Sequence, residues 1–163
     1  MYAKGDTVDF QLGTDPKADP KRAQAVLGDF RLSIGDPLGK GPVAVLYRPI
    51  ASEKHPRSFY SGTVKNGYEM QSVEVVKDAK IVVKVDKVGR AYVVEASIPL
   101  AALALSPATG LKLSGDLGAT YGNPAGDDTV VRSHWSNQAT DFVADEVWEL
   151  TLEPKNWGIL GFE

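Results

Sequence analysis

Short alternating segments, each cut off by Gly, Pro or Asp, leave this chain few ways to fold. In TVDFQL (7–12), Val8, Phe10 and Leu12 share one face, and in DFRLSI (29–34) Phe30, Leu32 and Ile34 do the same. PVAVLYRP (42–49) is an apolar run closed by a proline, while SVEVVK and KIVVKVDK (72–87) are rich in Val. GRAYVVEASIPL (89–100) has the strongest strand character of all. With LKLSGDLGATYG (111–122), TVVRSHWS (129–136) and EVWELTLE (146–153), the pattern predicts about nine strands. Helical signal is confined to AQAVLG (23–28) and PLAALAL (99–105), one or two turns each, with Pro99 pre-set for a first helical turn. The expectation is an all-β, two-sheet antiparallel β-sandwich in one domain.

Composition narrows the function classes. A chain of 163 residues is long enough to bury a core without metals or disulfides. Hydrophobic residues at 43% and charged residues at 24% describe a globular chain, not a disordered one. A net charge of -3 with dispersed basic residues gives no nucleic-acid footprint. The longest apolar stretch, ASIPLAALAL, is interrupted by Pro99 and falls short of a membrane span. The absence of cysteine removes thiol catalysis, disulfides and cysteine–zinc sites. No secretory leader is read in the segment YAKGDTVDF that follows Met1. Gly-x-Ser-x-Gly and His-Glu-x-x-His motifs are missing, and GDPLGKGP (35–42) lacks the Lys-Ser/Thr of a phosphate loop. The chain therefore reads as non-enzymatic.

Several segments, in order, resemble one family. GRAYVVEASIPLAALALSPATGLKLSGDLGATYG is similar to the central hairpin of the family 9 carbohydrate-binding modules and their DOMON-like relatives. GDTVDFQLGTDP resembles the family's "D-S/T-V-E/D" strand, DFRLSI its arginine-bearing strand, RSHWSN its late tryptophan strand and EPKNWG its closing turn. The resemblance covers almost the whole chain. It implies a β-sandwich on an extracellular or cell-envelope parent protein, an oligo- or polysaccharide as partner, and in some members calcium supporting loops. It also implies earlier strands before residues 7–12, which would leave that strand as an exposed edge and a route to a homo-oligomer.

Carried over residue by residue, the resemblance places the family's sugar-contacting acid at Asp9 and its arginine at Arg31. Its stacking tryptophans fall near Ala3 and Val143, its glutamine near Gly118 and its asparagine near Thr140, so those four groups are absent. Trp135 matches a scaffold tryptophan. From the residues alone, Asp9 and Arg31 lie on strands expected to neighbour each other. They suit either two hydroxyl contacts or a cross-strand ion pair. Tyr60 and Tyr68 head the best loop aromatic cluster, and Asp15, Asp19 and Asp29 are candidate calcium ligands or turn residues. Trp148 and Trp157 suit packing. His55, His134 and Met70 are the candidate axial ligands of a competing haem b reading. An interaction domain without a sugar site is the remaining alternative.

Overall fold

A computed structural model describes residues 5–36, 39–60, 68–86, 88, 91–138 and 150–163. The chain is all-β, and the described residues form eleven strands. The alternating segments become β1 (Thr7–Gly13), β2 (Asp29–Gly35), β3 (Val43–Arg48), β6 (Ser72–Val75), β7 (Lys80–Asp86), β8 (Ala91–Ser97), β9 (Lys112–Gly122) and β10 (Thr129–His134). Three short strands join them: β4 (Arg57–Phe59), β5 (Tyr68–Met70) and β11 (Gly158–Gly161).

Seven strands make one antiparallel sheet in the order β10-β9-β1-β2-β3-β6, with β11 also pairing β9. One face, here face A, carries Phe10 and Leu12 of β1, Phe30, Leu32 and Ile34 of β2, and Ala44 and Leu46 of β3. The ribbon β7–β8 lays Ile81 and Val94 against that cluster, and Leu103 of a 3-10 turn at Leu100–Leu103 closes it. Arg48 ties the turn to β3 by donating to the Ala102 carbonyl. Face B carries the opposite parity. There Val45, Tyr47 and Val73 bury a second cluster under Met70, Phe59 and Tyr68 of the ribbon β4–β5, with Leu150. Strands β1 to β3 are thus covered on both faces, which is why nearly every residue of β2 is buried.

Three expectations change. β1 is not an edge: it pairs β2 on one side and β9 on the other, so residues 7–12 offer no free ladder to a second copy. The edge next to β9 is β10, where a register shift between Thr129 and Val131 marks a bulge that disrupts further pairing. Segment 23–28 forms turns instead of a helix, whereas the 99–105 turn is present, with Pro99 at its N-cap. In 146–153, residues 146–149 lie outside the described residues; Leu150 is helical and 151–153 are irregular, not strand.

Candidate functional site

The residues singled out by the sequence converge on face B across β9, β1 and β2. Register places Thr120 opposite Thr7, Gly118 opposite Asp9 opposite Ser33, and Asp116 opposite Gln11 opposite Arg31. Asp9 and Arg31 are diagonal neighbours, with Arg31 Nη2 2.7 Å from Asp9 Oδ2. Thr7 Oγ1 donates to the same oxygen at 3.2 Å, and Ser33 Oγ donates to Asp9 Oδ1. Arg31 Nε donates to Ser33 Oγ at 3.0 Å. Only 0% of Asp9 and 4% of Arg31 is exposed, so the pair is internal. Of the two uses the sequence left open for this pair, the geometry realises the cross-strand ion pair.

One row along, Asp116 is buried and collects four donors. His134 Nδ1 lies 2.9 Å from Oδ2; the amides of Leu117 (2.9 Å) and Ser136 (2.8 Å) donate to Oδ1, and that of Asn137 (3.3 Å) to Oδ2. Burial pushes the Asp116 carboxyl up. The His134 hydrogen bond, the Ser136 amide, the His134 charge and the Asn137 amide outweigh it and hold the pKa below the ordinary carboxylate value. Gly118 makes this possible: a Cβ there would lie 2.6 Å from His134 Nδ1, so the imidazole crosses β9 only over a glycine. Ser136 donates its hydroxyl to the Asn156 carbonyl at 2.8 Å, which turns it away from a Ser–His relay.

Of the three acids considered for calcium, Asp29 is buried and pairs with Arg22, whose Nε donates to Oδ2 at 3.1 Å. Asp15 and Asp19 each accept the amide two residues on, from Lys17 (2.9 Å) and Lys21 (2.8 Å), as turn residues do. Among the described residues no three His, Asp or Glu side chains converge on one point, so these three acids form no shared site there. The Arg22 guanidinium also lies 5.4 Å from the Trp157 ring, and Trp157 Nε1 donates to Gln11 Oε1 at 3.1 Å. Trp157 is therefore a packing residue with its one polar atom satisfied.

Tyr60 and Tyr68 part company. Tyr68 pairs with Phe59 and packs toward the Tyr47 cluster, where burial raises its hydroxyl pKa, while Tyr60 is largely exposed. Met70 is buried beside Tyr47 at the β3 side of the sheet, and His134 sits on β10, four strands away in sheet order. At about 4.8 Å per strand these two are roughly 19 Å apart, too far to clasp one haem. His55 is exposed on a loop near Glu53 and Glu74. Ala3, Thr140, Val143 and Trp148 lie outside the described residues.

Half of face A is left open, with Val131 and Ser133 of β10 and Trp135 just after it on one face as their alternation predicts, and Leu117 and Tyr121 of β9, which no motif singles out, beside them. The β7–β8 ribbon covers β1 to β3, while Leu117 and Tyr121 of β9 and Val131 of β10 stay exposed. Val131 pairs with Tyr121 and Ser133 with Ala119; the Trp135 amide donates to the Leu117 carbonyl, which carries the same parity to Trp135. Trp135 is 53% exposed and Tyr121 42%. The Trp135 ring rests on the backbone of β11, since a Cβ at Gly158 would come within 2.5 Å of it. The alternation of β9 does put Tyr121 on the face opposite Asp116. What stays invisible in sequence is that the fold leaves it 42% exposed there.

Scans of the chain against protein-family models, curated proteins and solved structures return no match.

Proposed function

We propose that the chain is a non-catalytic carbohydrate-binding module whose platform is the open strip of face A, not the Asp9–Arg31 pair. The observation that carries this reading is the placement of Tyr121 and Trp135. Two half-exposed aromatic rings share one sheet face, four β9 positions apart, which is about 13 Å at the rise of a strand. Sugar rings present polarised C–H groups to the negative face of an aromatic ring, and two such rings in line suit an extended oligosaccharide. Ser133 stands between them, and Gln138 donates to the carbonyls of His134 and Trp135 at the strip's end. The indole is held against Gly158, so stacking on it costs little side-chain ordering. The order of family-like segments, from GDTVDFQLGTDP to EPKNWG, supports the same reading and points to an extracellular or envelope parent.

Titration calorimetry against a panel of β-linked oligosaccharides, with sedimentation on insoluble polysaccharides, tests it. Trp135→Ala is expected to weaken binding at least about tenfold, as loss of an aromatic anchor does. Binding unchanged in that variant, or none by the wild type to any saccharide, overturns the proposal.

A further inference from the structure

A cleft of about 660 Å³ opens between the β7–β8 ribbon and the end of the main sheet, a size that suits a small molecule. Its walls are three cross-strand pairs. Val8 and Ile34 stand on the sheet, and Val83 with Val94 and Val85 with Tyr92 stand on the ribbon. The mouth has the opposite character. Asp6 and Asp36 are the only charged side chains among the described lining residues, and both are exposed. Each carboxylate spends Oδ1 on one backbone amide, Gly122 at 2.6 Å for Asp6 and Gly41 at 2.8 Å for Asp36. Lys80 and Lys84, the cations of the ribbon strand that lines the cleft, pair with Ser97 and Val93 on the ribbon's other face. The Tyr92 phenol stays protonated well past neutrality. Burial raises its pKa most, and Tyr121, Asp6 and Asp9 add to the effect.

We infer that this cleft binds a small organic cation with an apolar body, an alkyl- or arylammonium. The hydrocarbon lies between the valine pairs, and the ammonium sits at the mouth against the Asp6 and Asp36 carboxylates. A neutral hydrocarbon gains only the walls. A carboxylate or phosphate meets two like charges at the entrance. The cleft adjoins the β9–β10 strip at Tyr121 but shares no lining residue with it, and neither proposal depends on the other.

Amide NMR titration of the intact chain with hexylammonium, hexanol and hexanoate decides it. Saturable shifts are expected at Val8, Val83, Tyr92 and Val94 with hexylammonium, weaker ones with hexanol and none with hexanoate. The double variant Asp6→Asn/Asp36→Asn keeps both Oδ1 acceptors, so its melting temperature should hold. Its hexylammonium affinity should fall about tenfold, the scale of a lost charge-assisted contact. Equal response to hexanol and hexylammonium, undiminished binding by the double variant, shifts confined to β9 and β10, or no saturable shift overturns the inference. An oligosaccharide that shifts Trp135 and leaves these four amides still bears only on the other site.

Discussion

Both oxygens of Asp9 are occupied, by Arg31 and Thr7 on one and Ser33 on the other, and the group is wholly buried. Removing one member of such a pair strands a charge in the interior, which costs about 3–5 kcal/mol. Asp9→Ala or Arg31→Ala should therefore lower the urea midpoint sharply. An apolar double replacement should recover part of the loss, and a double-mutant cycle measures the difference. Asp116 makes a prediction with a sign. Its folded pKa lies below its ordinary 3.8, so its contribution is complete above that value and disappears as pH falls through the folded pKa. Asp116→Asn should lose stability at neutral pH and show a flatter acid limb in urea midpoints taken against pH. At this scale the sequence was half legible. Parity alone puts Asp9 and Arg31 on one face. It does not say that the face is covered, because cover comes from residues remote in the chain, such as Trp157 on Gln11.

The strands best read from sequence are those whose faces differ most in chemistry. β1 and β2 alternate apolar face A residues with Thr7, Asp9, Gln11, Arg31 and Ser33 on face B, so either face declares the register. β4 and β5 have three residues each, RSF and YEM, too few for a period of two to stand out. β11, GILG, hides in the tail because two of its four residues are glycines. In 150–153, the described part of the 146–153 alternation, Leu150 and Leu152 are buried without belonging to a strand, so burial there does not mark strand. The sheet order makes the element-level prediction. Amides of β1 and β2, laddered on both sides, should exchange slowest by hydrogen–deuterium exchange, and those of β10 on the edge fastest. Fast exchange along β1 would contradict its central place.

Across the whole molecule, the first strand waits for the ninth. Thr7 meets Thr120 across 113 positions of sequence, a pairing that no local pattern announces. The family-like order of segments gave the strands, yet it left β1 at an edge, because an edge follows when neighbours are counted along the chain. The topology also decides how the protein bears load. β1 and β11 both run antiparallel to β9, hence parallel to each other, β1 along 115–120 and β11 along 112–115. Tension drawn backward from Thr7 and forward from Gly161 slides these strands lengthwise along β9, loading many ladder bonds together instead of peeling them singly. Pulled from those two points in an optical trap, the protein should hold as a clamp and rupture in one high-force step. Pulled across β7 and β8 at the Lys80 and Ser97 end, where the ribbon opens like a zip, it should yield at much lower force.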